Sequence, residues 1–175
     1  NITASAGYIT PATVTPTDAT IRASTTYEFT FQTENTIPSG AIIYIAFPST
    51  ITIADRTGTS CLASATNIDA VNGVCTVTST RFLTISNAYA TQVLAGNRVN
   101  FTISGVTNYI TSLTSDSFEI QTQTSAGFVI DTYQAGILTV TATAQTITGF
   151  TVASTTTTTG LAETYTFDFD FTTIT

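Results

Sequence analysis

Hydrophobic and polar residues alternate one by one along most of this chain, a pattern typical of β-strands that bury one face. The clearest example is "TTYEFTFQT" (25–33), where Tyr27, Phe29 and Phe31 share one face. Near the other end, "TYTFDFDFTTIT" (164–175) places Tyr165, Phe167, Phe169 and Phe171 on one face in the same way. Helical periodicity is never sustained, and the pattern predicts a single helical turn within 87–97, closed by Gly96.

Turn residues divide the alternating segments into eight or nine predicted strands. Pro38 and Gly40 follow the first aromatic strand, and Pro48 closes the nearly continuous apolar run 41–47. The segments 116–124 and 128–133 flank Ser-Ala-Gly and predict a hairpin, and 137–148 predicts the last strand of the set. This pattern predicts an all-β fold, an immunoglobulin-like antiparallel β-sandwich, with a β-barrel as the alternative.

The chain also resembles itself at an offset of 138 residues. Residues 1–35 and 139–173 share 13 identities, among them Tyr27/Tyr165, Phe29/Phe167 and Phe31/Phe169. A period of this length fits one β-sandwich and is far too long for a solenoid repeat. We therefore expect a sandwich repeat over 1–145, in which 1–10 form a linker or first strand. Residues 146–175 are expected to begin a second repeat or to act as a strand-exchange segment.

The aromatic face of the second segment predicts a packing partner. Burying each such side chain stabilises by about 1.5–3 kcal/mol, and a strand that left them in water would aggregate. Either a second repeat covers them or a neighbouring copy does, by β-strand addition in a head-to-tail contact that builds a filament. The predicted packing residues between subunits are Tyr165, Phe167, Phe169 and Phe171 together with their counterparts Tyr27, Phe29 and Phe31.

Composition narrows the choice of partners. The chain has 44 Thr and 14 Ser among 175 residues but only 9% charged residues, with no Lys and a net charge of −7. Nucleic acid and anionic membrane surfaces are therefore disfavoured, because the cations that bind phosphate are scarce. No apolar run is long enough to span a bilayer, so no membrane insertion is predicted for this segment.

Cysteines and sequons favour an extracellular location. Cys61 and Cys75 enclose 13 residues, and a disulfide between them would contribute about 3 kcal/mol by loop-closure entropy. Two buried free thiols are the alternative. Asn1 and Asn100 each begin an Asn-x-Thr sequon. The candidates for O-glycosylation are the consecutive residues Thr155, Thr156, Thr157, Thr158 and Thr159, although such a run also suits an edge strand or linker.

The segments "TTYEFTFQTENTIPSGAIIYIAFP" (25–48) and "VNFTISGVTN" (99–108) resemble Thr-rich tandem β-sandwich repeats from surface fibres of single-celled organisms. The resemblance covers most of residues 20–138, including the cysteine pair. It implies a structural or adhesive role, outside the cell and with covalent glycans, and no catalysis. A looser similarity is to pilins joined by donor strands.

Catalytic and metal sites are not predicted. The chain has no His or Lys, which removes the common general bases, and its 11 acidic residues are scattered. Asp168 and Asp170 lie on one face of a predicted strand, about 7 Å apart by strand rise, and are weak candidates for a calcium site. A solvated polar face is the favoured explanation, since Thr30 and Gln32 occupy the matching positions of the first repeat. No enzyme activity and no cofactor is expected.

Two functions from different classes remain as hypotheses. The favoured one is a structural subunit of an extracellular glycosylated filament or stalk, whose partners are copies of itself. The alternative is an adhesin or carbohydrate-binding module on such a stalk, for which exposed tyrosines such as Tyr109 and Tyr133 could supply contact surface.

Overall fold

The computed structural model describes residues 5–58, 62–69, 71–133, 138–155, 160 and 162–171, with residues 63–65 and 171 described through their backbone alone. The chain divides into two compact units, Asn1–Thr143 and Ala144–Thr175. The described residues form strands, turns and irregular segments without a helix, so none of them forms a helix that could cross a membrane. The predicted all-β class is confirmed, and the immunoglobulin-like connectivity stays a prediction.

The described parts of the two units contain thirteen strands. Their bounds are β1 Gly7–Pro16, β2 Ser24–Thr33, β3 Ile42–Ala46, β4 Thr52–Ile53, β5 Arg56–Gly58, β6 Leu62–Thr66, β7 Val74–Thr78, β8 Phe82–Ser86, β9 Arg98–Thr107, β10 Glu119–Gln123, β11 Val129–Thr132, β12 Ile147–Ser154 and β13 Tyr165–Phe171. The predicted hairpin of 116–133 corresponds to the antiparallel pair β10–β11.

The first unit is a curled sheet of 11 strands in the order β4-β9-β2-β1-β11-β10-β3-β8-β7-β5, with β6 also paired to β9. In the described residues β4 and β5, at the two ends of this path, do not pair with each other. The hydrogen-bonded path is therefore open there, which favours a sandwich over the barrel alternative.

Strand β1 belongs to both sides of the curled sheet. Its first residues Gly7 and Tyr8 pair in parallel with β11, and from Ile9 onward it pairs antiparallel with β2. The change of partner coincides with a bulge between Ile9 and Ala12, which also contains the cis peptide bond before Pro11. A bulge bends its strand, and this bend lets one strand join the two sides.

Alternation along the strands produces a single apolar core in the first unit. In β2 the side chains of Tyr27, Phe29 and Phe31 are fully buried. The Phe29 ring lies 5.4 Å from that of Phe101 in β9, beside it in the sheet. It also lies 6.0 Å from Phe47, after β3, and 5.9 Å from Phe118, before β10. Because β3 and β10 belong to the other side of the sheet, these aromatic contacts join the two layers.

Two sequence expectations are corrected. The predicted helical turn of 87–97 is irregular backbone with a bridge between Val93 and Ile37. Ala88 and Tyr89 are buried there, and backbone hydrogen bonds to Ile37 and Ala41 replace helical ones. The strand predicted at 137–148 is also not continuous: residues 138–143 alternate in burial but form only isolated bridges, Thr114–Thr141 and Thr20–Thr143.

The second unit contains the antiparallel pair β12–β13. Its register shifts between Thr148 and Thr151, where Gly149 has a φ of 65°. A bulge with a positive φ favours glycine, because a Cβ is disfavoured in that conformation. We call β1–β2 the first hairpin and β12–β13 the second hairpin.

Candidate assembly surface

The second hairpin carries a broad apolar face that is exposed in this structure. Aromatic side chains along it are between 45% and 61% accessible, and the rings of Phe150 and Phe167 lie 6.3 Å apart. The exposed apolar residues of the face are Ile147, Phe150, Val152, Tyr165, Phe167 and Phe169. Phe171, predicted with them, is placed by its backbone opposite Ile147, and its side chain lies outside the described residues.

The pairing register of the second hairpin repeats that of the first. Adding 138 to both members of five residue pairs of β1–β2 yields five residue pairs of β12–β13. These are Ile9–Thr33 and Ile147–Phe171, Thr13–Thr30 and Thr151–Asp168, Val14–Phe29 and Val152–Phe167, Thr15–Glu28 and Ala153–Thr166, and Pro16–Tyr27 and Ser154–Tyr165. The backbone bond from Thr17 N to Thr26 O (2.8 Å) likewise recurs from Thr155 N to Thr164 O (3.2 Å). The two hairpins therefore place corresponding residues on corresponding faces.

Burial is where the two hairpins differ. Tyr27, Phe29 and Phe31 are 0% exposed, while their counterparts Tyr165, Phe167 and Phe169 are 56%, 58% and 45% exposed. The three residues of β2, predicted to pack between subunits, thus pack within their own unit instead. They are held there because β9 and the opposite layer cover them.

The surface that covers the first hairpin has three parts, which we call together the acceptor face. The first is strand β9, which pairs with the edge of β2 that faces away from β1. The second is the pair Phe47 and Phe118, whose rings pack on Phe29 of β2. The third is Asn108, which binds the hydroxyl of Tyr27. The hydroxyl of Tyr27 donates to Asn108 Oδ1 over 2.5 Å, and Asn108 Nδ2 donates to the backbone oxygens of Asp18 and Thr20 over 2.8 Å each. Burial raises the pKa of Tyr27 far above its usual range, so this hydroxyl keeps its proton and acts as donor.

Asn108 was not identified from the sequence. It is buried, and it lies 81 residues from Tyr27 along the chain. No local pattern marks such a residue, although a buried tyrosine hydroxyl does require some polar partner.

A second polar cluster that the sequence did not indicate lies where β1 meets β11. The buried carboxylate of Asp131 accepts a hydrogen bond from Asn35 Nδ2 over 2.8 Å. Glu34 Oε2 accepts one from the backbone nitrogen of Tyr8 over 2.7 Å. Burial raises the pKa of Asp131, and the Asn35 hydrogen bonds oppose that shift in part. A methyl group built on Gly7 would overlap the side chains of both Asn35 and Asp131, so a larger residue at this junction would have to displace them.

Asp168 and Asp170 lie on the face of β13 opposite the aromatics, and both are exposed. They stand across from Thr151 and Thr148. Among the described residues there is no group of three or more His, Cys, Asp or Glu that could hold a metal ion. Asp168 and Asp170 are thus the only two such residues that this strand face brings together among the described residues, and the weak calcium candidate stays a prediction.

The structure describes only some of the residues that were predicted to carry glycans or to form the disulfide. Asn100 points away from the core, between buried Val99 and Phe101, and its Nδ2 donates to Glu28 Oε1 and Thr30 Oγ1. A glycan on that nitrogen would replace one of these two hydrogen bonds. Thr155 is exposed, and Cys75 is buried and disulfide-bonded. The remaining predicted residues lie outside the described part of the chain: Asn1, Cys61, Thr156, Thr157, Thr158 and Thr159.

Two adjoining depressions on the first unit share Gln32. One, of about 230 Å³, is lined by Pro11, Ala12, Thr13, Thr30, Phe31, Gln32 and Arg98. The other, of about 310 Å³, is lined by Tyr8, Thr10, Gln32, Thr33, Glu34 and Gly96. Tyr109 and Tyr133, which the adhesin hypothesis treated as exposed, are half-buried and line neither depression.

Comparison with known proteins identifies no relative, since no protein-family model and no curated protein sequence matches this chain. The relation between its two hairpins, in sequence and in register, is internal to the chain.

Proposed function

We propose that this protein is a structural subunit of an extracellular, glycosylated filament or stalk, assembled head-to-tail through β-sheet packing or strand addition. The observation that carries the proposal is the exposed apolar face of the second hairpin, whose register copy in the first hairpin is fully covered. A two-stranded hairpin is marginally stable alone, and exposed apolar patches of this kind are typical of interaction sites.

The extracellular part of the proposal has separate support. Cys75 is disulfide-bonded, and disulfides persist in oxidising compartments. Thr and Ser replace charged residues on the solvent-facing side of the strands, as in Thr30 and Thr102. Glycosylation at Asn100 is checked by mass spectrometry of the native protein, and an unmodified peptide would contradict it.

Assembly is tested with the purified full chain over a range of concentrations, by sedimentation and negative-stain electron microscopy. We expect fibres with a regular axial repeat. Replacing Phe167 and Phe169 together by Ser should abolish them, because each buried ring contributes about 1.5–3 kcal/mol. The matched control replaces Thr166 by Ser, on the opposite face of the same strand. A protein that remains monomeric at every concentration would overturn the proposal.

The second candidate function is a carbohydrate-binding or adhesin module. The two depressions at Gln32 favour it, since Thr, Gln and Arg side chains there offer hydrogen-bonding groups beside the apolar Pro11. A glycan array distinguishes the two functions: binding that is lost in a Gln32→Ala variant with assembly intact supports the module.

A further inference from the structure

We propose that the second hairpin of one copy binds the acceptor face of a second copy, in place of that copy's first hairpin, with Asp170 opposite Arg98. This inference rests on the proposed head-to-tail assembly and identifies the contact that would produce it. It follows from the shared register of the two hairpins, which assigns each residue of β13 to a position that β2 already occupies.

The register places a carboxylate against the arginine. In the first unit Gln32 of β2 stands opposite Arg98 of β9. The residue of β13 at the position of Gln32 is Asp170, since 32 and 170 differ by the same offset of 138. Arg98 is exposed, and the residue that faces it in its own chain is neutral. The exchanged strand would therefore add an opposite-charge cross-strand pair that β2 does not provide.

Asn100, the next residue of β9 after Arg98 whose side chain faces outward, also finds acceptors on the exchanged strand. Thr30 stands opposite Asn100, whose Nδ2 donates to Thr30 Oγ1 over 2.9 Å. Asp168 takes the place of Thr30 in the second hairpin, while Thr166 takes the place of Glu28, whose carboxylate also accepts from Asn100 Nδ2 in the first unit. Asn100 therefore faces one carboxylate and one hydroxyl in either arrangement, and only Asp170 adds a charged contact that the first hairpin lacks.

Phe167 and Tyr165 of the exchanged strand find the contacts that Phe29 and Tyr27 make in β2. Phe167 would take the place of Phe29 among Phe47, Phe101 and Phe118. Tyr165 would take the place of Tyr27, whose hydroxyl needs a partner once it is buried. Asn108 supplies that partner, so the acceptor face matches the polar group of the hairpin as well as its rings.

Exchange leaves the number of covered hairpins unchanged. The described residues of each copy include two hairpins and one acceptor face, so exchange covers the second hairpin and uncovers the first. Most buried contacts are common to both arrangements, and the positions that differ therefore bias the choice. Asp170 favours the second hairpin at the acceptor face, while the intramolecular connection of the first hairpin favours the monomer at low concentration.

The exchanged strand begins at Ile147, where β12 begins. Gln145 corresponds to Gly7, and even a methyl group at Gly7 would overlap the Asp131 carboxylate of β11. Parallel pairing of the second hairpin with β11 would therefore require the Asp131 side chain to move, and we place the start of the exchanged strand after this junction. Residues before Ile147 instead remain as the connection between the two copies.

The register is tested by disulfide trapping between full-length chains. One chain carries Asp170→Cys and the other Arg98→Cys, and the two are mixed at a concentration that supports assembly and mildly oxidised. We expect a covalent heterodimer, because directly opposed Cβ atoms in a sheet lie about 4.5–5.5 Å apart. The control replaces Asp170→Cys by Thr166→Cys, whose proposed partner is Thr102 rather than Arg98, and should give at least tenfold less heterodimer.

Charge reversal tests the ion pair in trans. Asp170→Arg and Arg98→Asp should each raise the concentration needed for assembly about three- to tenfold, because like charges then face each other. Mixing the two variants should restore assembly, since each hairpin then finds the opposite charge on the other variant's acceptor face. A pair formed within one chain would not be rescued by mixing.

Each outcome decides between the two proposals. Fibres without the Asp170–Arg98 cross-link, or with equal cross-linking in the Thr166 control, would overturn the exchange and leave the filament function standing. Chains that remain monomeric would overturn both the filament function and the hairpin exchange. Cross-linking with rescue by mixing would establish the exchange and its register.

Discussion

The first and second hairpins have the same register but opposite environments. Val14 pairs with Phe29, and Val152 pairs with Phe167, in the same way. Phe29 is nevertheless completely buried, while Phe167 is 58% exposed. Local sequence therefore determines the hairpin and its apolar face, and burial depends on whether β9, Phe47 and Phe118 are available to cover that face.

The comparison also separates two kinds of position. Three aromatic residues of β2 recur unchanged in β13 at the positions of Tyr27, Phe29 and Phe31, where the side chains of the first hairpin meet an apolar layer. Residues on the outer face differ in charge, with Gln32 and Thr30 replaced by Asp170 and Asp168. The outer positions are therefore the ones that can distinguish one hairpin from the other at a common acceptor face.

The largest expected difference between the hairpins concerns the matched phenylalanines. Phe29→Ala removes a ring packed against Phe47, Phe101 and Phe118. It should lower the free energy of unfolding of the first unit by about 3–5 kcal/mol. Phe167→Ala should leave that unit within about 0.5 kcal/mol of wild type, measured by urea unfolding at a concentration too low for assembly. Equal losses would contradict the difference in burial.

The next comparison concerns Gly7 and Gln145. Gly7→Ala places a methyl group against Asn35 and the buried Asp131, and overpacking of this kind costs about 1–3 kcal/mol. Gln145→Ala, at the matching position, should change the stability of the first unit by less than about 0.5 kcal/mol. Thermal unfolding of both variants measures the difference, and a neutral Gly7→Ala variant would show that the junction can adapt.

Much of the local structure could be predicted from the sequence, since alternation marked β2, β9, β10 and β11. The parallel pairing of Gly7 with Asp131 could not, because those residues are far apart in the chain and no local pattern encodes their contact. Residues 87–97 were predicted to contain a helical turn, and tertiary hydrogen bonds to Ile37 and Ala41 override that local preference.

The site was predictable to a similar extent. The offset of 138 residues identified the aromatic face of β13 and its counterpart in β2, because identical residues recur at identical spacing. It could not identify Asn108 or Asp131, which are recognisable only once the fold buries them beside Tyr27 and Asn35. Polar residues that satisfy a buried group from a distant part of the chain leave no periodic signal.

An effect of similar size to that of Gly7→Ala is expected at the tyrosine hydroxyls. Tyr27→Phe leaves Asn108 Oδ1 without its 2.5 Å donor in a buried environment, which should destabilise the first unit by about 1–3 kcal/mol. Tyr165→Phe should leave its stability unchanged at low concentration. The two variants are compared by urea unfolding, and a Tyr27→Phe variant as stable as wild type would mean that the asparagine finds another partner.

The smallest expected effect makes the first hairpin resemble the second. Gln32→Asp places a carboxylate opposite Arg98 within one chain. It should raise the free energy of unfolding by about 0.2–1 kcal/mol, and added salt should reduce the gain because the pair is exposed. Unfolding in urea at low and high salt measures it.

The control for this substitution is the same change in an Arg98→Ala background, where the gain should vanish. An equal gain in both backgrounds would show that the carboxylate acts through some other group. If the gain depends on Arg98, then β9 distinguishes a hairpin that carries Asp from one that carries Gln at this position. Gln32→Asp would then also weaken exchange between copies, because it gives the first hairpin the charged contact that otherwise only the second can make.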